Sequence, residues 1–139
     1  MSIEAKMPMM ATESDTGKFI KAILLNPTAT LGQRIYGAQD YYSTKQLMEI
    51  FARVFPHDGK GAKAVTVPDD QYKKGLESMG MPPFIQEELV QNFRLNDLEA
   101  GGPGYYSQES LTQSQSILDE KLTAWEEYLR GNTKLKDLK

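Results

Sequence analysis

Apolar residues in this chain gather into helical stripes separated by proline and glycine breaks, and the first stripe is the widest. In Asp15-Thr16-Gly17-Lys18-Phe19-Ile20-Lys21-Ala22-Ile23-Leu24-Leu25-Asn26-Pro27, the positions Phe19, Ile20, Ala22, Ile23, Leu24 and Leu25 run most of the way round a helix. Asp15 is suited to cap that helix, since a short side-chain oxygen accepts an orphan first-turn N–H, and Asn26-Pro27 stops it. A helix apolar on nearly all sides needs cover from more than one direction. The remaining chain, a second copy in a homo-oligomer, a separate protein partner or a missing domain is expected to cover the Asp15–Leu25 helix.

Further along, Arg34-Ile35-Tyr36-Gly37-Ala38 is compatible with a short strand. Ser43-Thr44-Lys45-Gln46 offers a capping box, with a hydroxyl at the cap and an amide three residues on. Behind it Leu47, Ile50, Phe51, Val54 and Phe55 recur at helical spacing and predict a one-sided amphipathic helix, which Pro56 and Gly59 end. Ala62 to Val67 reads as a strand with Val65 and Val67 on one face. Pro68-Asp69-Asp70 opens a helix carrying Tyr72, Leu76 and Met79. After the break at Gly80-Met81-Pro82-Pro83, a longer helix from Phe84 to about Leu95 shows Leu89, Val90 and Phe93. Gly101-Gly102-Pro103-Gly104 is a loop, and Ser107 to Leu118 is polar loop with at most a helical turn. Thr123-Ala124-Trp125-Glu126 is a second capping box, and Trp125, Tyr128 and Leu129 form the apolar face behind it until Gly131.

With 139 residues and 40% hydrophobic composition, the chain has enough apolar surface for one folded domain. It has no cysteine, so disulfides, thiolate metal sites and cysteine nucleophiles are out. No run of 18 apolar residues is present, so no membrane-spanning helix is expected, and Met1 to Met10 lack the features of a secretory signal. The net charge is −3 and the pI about 5.2. Nucleic-acid binders concentrate positive charge to displace counterions, so no nucleic-acid partner and no membrane partner are expected. The expected location is cytoplasmic or nuclear.

Taken in order, Asp15-Thr16-Gly17-Lys18-Phe19, Leu31-Gly32-Gln33-Arg34-Ile35, Asp40-Tyr41-Tyr42-Ser43, Val54-Phe55-Pro56, Tyr72, Met79-Gly80-Met81-Pro82 and Thr123-Ala124-Trp125-Glu126-Glu127 resemble the C-terminal half of fungal NmrA-like proteins. Those belong to the atypical short-chain dehydrogenase/reductase superfamily, and the resemblance runs from about Met9 to Gly131. It implies an α+β fold: a helical substrate-type subdomain with a small sheet of short strands, lacking the Rossmann nucleotide-binding half. Residues 1–14 would then be an N-terminal extension, 15–131 the domain, and 132–139 a flexible tail. A Rossmann site needs a glycine-rich turn that lets a helix N-terminus approach the pyrophosphate. Gly59-Lys60-Gly61 is too short for that turn, and Gly17-Lys18 lacks the remainder of a P-loop. No cofactor is therefore expected, and NADP only if a separate nucleotide-binding half is supplied.

Tyr41 to Lys45 has the Tyr-x-x-x-Lys spacing of the superfamily's acid/base pair, with Thr28 thirteen residues upstream. A cap at Ser43 would leave Tyr41 outside the helix and break that geometry. His57, the single histidine, reads as a surface residue at a helix end. The acidic doublets Asp69-Asp70, Glu87-Glu88, Asp119-Glu120 and Glu126-Glu127 read as helix starts or solvated faces. The substrate-binding candidates are Tyr72, Met79, Met81, Phe84 and Phe93, whose soft and aromatic side chains surround a break between two helices. Core packing is the competing reading of the same residues. Tyr105 and Tyr106 could gate such a site. The function expected is a binding or regulatory module for a protein partner or a hydrophobic small molecule. The alternatives are a stand-alone non-redox cyclase or isomerase and a truncated NAD(P)-dependent reductase.

Overall fold

The computed structural model describes residues 2–97, 104 and 109–139. Its elements run β1 (Lys6–Met9), α1 (Thr12–Leu25), α2 (Pro27–Thr30), β2 (Asp40–Ser43), α3 (Thr44–Val54), α4 (Asp69–Ser78), α5 (Pro83–Leu95), α6 (Thr112–Gln115), α7 (Trp125–Gly131) and a 3-10 turn at Thr133–Leu135. The architecture is α+β, with helices around one small antiparallel sheet. In that sheet Lys6 lies opposite Ser43 and Met9 opposite Asp40. Pro8 is tolerated within β1 because a strand of a two-stranded ribbon has a free edge where no N–H is needed.

The core lies where α3 meets α7. Val54, Phe55 and Leu129 are buried there, with Ile50, Phe51, Trp125, Leu135 and Leu138 packed against them. Residues 132–139, expected as a flexible tail, thus contribute two leucines to this cluster. The Lys139 carbonyl also accepts the backbone N–H groups of His57 and Asp58, both at 2.8 Å. The Ser43 cap forms as the spacing predicts: its hydroxyl accepts the Gln46 N–H at 3.2 Å, and the Gln46 side chain accepts the Ser43 N–H at 2.8 Å.

Four local expectations are corrected. Asp15 does not cap α1, which begins earlier, at an Ala11 cap; Asp15 is buried inside the first turns and bonds to a distant segment. Residues 34–38 form no strand, because α6 supplies what a neighbouring strand would. Ser114 Oγ accepts the Tyr36 N–H at 2.8 Å, and Gln115 Nε2 donates to the carbonyls of Ala38 and Gln39. Residues 62–67 form no strand either, and Val65 and Val67 stay exposed, since no second strand reaches them among the described residues. The cap of α7 sits one residue later than predicted, at Ala124, whose N–H donates to Glu127 Oε2 at 3.0 Å.

The α4–α5 pair is a helical hairpin, and its turn is set locally. Gly80, at φ 79°, donates to the Glu77 carbonyl, and Met81 N–H reaches back to the Leu76 carbonyl. This is a left-handed glycine closing a helix with both orphan carbonyls satisfied. Pro82 then caps α5 and Pro83 occupies its first turn.

Candidate functional site

The corner where β1 turns into α1 faces the start of α7, and a cleft of about 350 Å3 lies between them. Met9, Met10, Ala11, Thr12 and Glu13 form one wall, Gln39 and Tyr42 the floor beside β2, and Thr123, Trp125 and Tyr128 the other wall. The Trp125 and Tyr128 rings stack, with centroids 5.5 Å apart and planes 15° from parallel. The spacing from 125 to 128 is three residues, which brings side chains together on one helix face. Trp125 is fixed at its polar end, where Nε1 donates to the Leu47 carbonyl at 3.2 Å. A second cleft of about 340 Å3 adjoins the first, sharing Ala11, Glu13, Thr123 and Tyr128.

Asp15 holds the two walls in register. Its carboxylate accepts the Thr123 N–H at 2.8 Å and the Thr123 hydroxyl at 3.0 Å, and Lys18 Nζ donates to it at 2.8 Å. Burial opposes ionisation, but Lys18, the two Thr123 donors and the Ser14 hydroxyl together hold the carboxyl below its ordinary range. The Lys18 ammonium is spent within the protein, since it also donates to the Lys121 carbonyl at 2.7 Å.

Tyr42 is the titratable group on the floor. Burial pushes its phenol up, the negative charges of Asp40 and Glu127 push the same way, and a hydrogen bond from the Trp125 backbone only partly offsets them. The hydroxyl therefore stays protonated near neutrality and donates to Gln39 Oε1 at 3.0 Å. It can orient a ligand by hydrogen bonding and is poorly suited to remove a proton.

The residues singled out from sequence lie elsewhere. Tyr72 is half-buried and meets Phe93 edge-on at 5.5 Å between α4 and α5. Met79 and Phe84 are 68% and 69% exposed, and Met81 and Phe93 are also exposed. All five belong to the hairpin, and none lines the cleft beside α7. Tyr105 and Tyr106 lie outside the described residues. Tyr41 and Lys45 do not come together: the Tyr41 hydroxyl donates to the Glu109 carbonyl, while Lys45 pairs with Glu4 at 2.8 Å. His57 stands exposed beside Asp58.

The cleft was missed because its walls come from opposite ends of the chain. Two signals pointed to it: the Met7–Met10 cluster directly before a helix, and the single tryptophan with a tyrosine three residues on. No curated protein and no solved structure matches the chain. A family model described as NmrA-like family matches residues 2–129. That span takes in both walls of the cleft, from before β1 into α7, and the chain belongs to the NmrA-like family.

Proposed function

We propose that this chain is an NmrA-like binding module that takes a hydrophobic small molecule into the cleft between the β1–α1 corner and α7. The observation that carries this reading is the lining: two methionines, a tryptophan and two tyrosines around a volume of about 350 Å3, with a few polar groups at the edge. That is the composition and scale of small-molecule sites. No glycine-rich turn opens α1, which supports a ligand held without a nucleotide site among these residues. Trp125, the single tryptophan, reports on the site directly. Titration with small neutral aromatics should shift its emission saturably, and Met10→Glu should abolish the shift while circular dichroism stays unchanged. A Trp125 signal that never saturates would sink the reading. Micromolar NADPH binding by calorimetry would overturn the part that dispenses with a nucleotide.

A second reading is favoured by α1 itself. Ile20, Leu24 and Leu25 remain more than half exposed, and contiguous apolar surface of this kind marks association sites. A second copy of the chain is the proposed cover, which makes the working unit a homo-oligomer. Concentration-dependent sedimentation tests it.

A further inference from the structure

The charge around the cleft narrows the ligand further, on the reading that the cleft is the binding site. Among the described residues, no lysine, arginine or histidine lines it. Glu13 does, and its exposed carboxylate is engaged in no ion pair or hydrogen bond among the described residues. Of the nearby cations, Lys18 is already committed to Asp15 and Lys121 to Glu127, and Lys134 lines the adjoining cleft rather than this one. The opposing features are Lys134, which lies outside this cleft's lining, and the N-terminus of α1, which carries roughly half a positive charge, less than the full negative charge of Glu13. The electrostatics of Tyr42 agree, since Asp40 and Glu127 both raise its pKa. Three aromatic rings, those of Tyr42, Trp125 and Tyr128, complete the lining. The face of an aromatic ring attracts a cation, most strongly where the cation is stripped of water.

We infer that the cleft selects an organic cation, a quaternary or protonated amine on an apolar body, held among the Tyr42, Trp125 and Tyr128 rings with Glu13 as its counter-charge. The apolar body packs against Met9 and Met10, whose unbranched thioethers adapt to irregular shapes. No proton transfer or covalent step is involved. An anion is disfavoured because it would face Glu13 with no cationic side chain in the cleft's own lining to receive it.

The test uses the full chain and three probes of similar size: benzyltrimethylammonium, benzyl alcohol and benzoate, each titrated against Trp125 emission. The cation should bind at least about fivefold more tightly than the alcohol, the range expected of a partly desolvated cation–π site. Glu13→Gln should reduce that preference by removing the counter-charge, leaving the part that the three rings supply. Equal binding of cation and alcohol, a preference for benzoate, or a preference undiminished by Glu13→Gln would each overturn the inference, yet leave the hydrophobic-ligand reading standing. Failure of all three probes to bind would remove both. Glu13 is exposed, and the comparison of probes on the unaltered protein needs no variant.

Discussion

Asp15 shows how one side chain can join segments more than a hundred positions apart. Removing its carboxylate strands the Thr123 N–H, leaves the Thr123 hydroxyl with Ser14 alone and leaves the Lys18 ammonium without its anion. Breaking a buried pair from one side costs about 3 kcal/mol, so Asp15→Ala should lower stability in urea by roughly that amount at pH 7. The pH dependence follows from the direction of the shift. The folded carboxyl sits below the ordinary value of 3.8, so the unfolded chain takes up the proton first as pH falls. Asp15's contribution is fully present above that value and is lost as pH drops through the folded pKa. The stability gap between the native protein and Asp15→Ala should therefore shrink below about pH 4; a gap that widened there would contradict the assignment. Gly59 makes a different demand. A Cβ there would lie 2.6 Å from the Phe55 carbonyl oxygen and 2.8 Å from Ala52 Cα, both backbone atoms of the α3 end. Gly59→Ala should cost about 2 kcal/mol, as overpacking does, and melt earlier in a thermal scan. The neighbouring His57 is exposed, and His57→Ala should stay within about 0.5 kcal/mol.

Among elements, those closed by local chemistry were the legible ones. The Ser43 box and the periodic stripe behind it predicted α3 to its first residue, and the Gly-Met-Pro-Pro break placed the α4–α5 hairpin. Gly80 carries that turn in a left-handed conformation, which costs an L-residue about 1–2 kcal/mol. Gly80→Ala should therefore weaken the hairpin by about 1 kcal/mol, visible as faster amide exchange in α4 and α5 with little change in α3 or α7. Uniform loss of protection across the chain would instead make the hairpin inseparable from the core. Strands were illegible because a strand is defined by its partner. Residues 34–38 and 62–67 have β-compatible side chains, but the first is satisfied by Ser114 and Gln115 and the second meets no neighbour among the described residues. The strands that do form use Lys6–Met9 and Asp40–Ser43, where pairing decided and side-chain type did not.

For the whole molecule, the same logic explains why the candidate site was not legible while one exposed face was. The cleft needs residues 9–13, 39–42 and 123–128 in one place, an arrangement fixed by the β1–β2 register and the Asp15–Thr123 bonds. The α1 face is written along a single helix, and its excess of apolar residues was visible directly. Folding buries Phe19 and Ala22 but leaves Leu24 73% exposed, with Ile20 one turn before it. If a second copy covers this face, Leu24 lies within the interface, and Leu24→Lys both forfeits apolar burial and places a charge there. Losing a buried leucine is worth about 2 kcal/mol, so dissociation should strengthen by roughly thirtyfold or more. Folding should be untouched, because Leu24 already faces water in the isolated chain. The cleft should be untouched too: Leu24 lies eleven residues from Glu13, about 16 Å along the helix. Sedimentation and Trp125 titration on one preparation therefore report independently. A chain that sediments as a monomer at every concentration removes the self-association reading and leaves the cleft in place, whereas Leu24→Lys disturbing ligand binding would mean that the two ends of α1 are coupled.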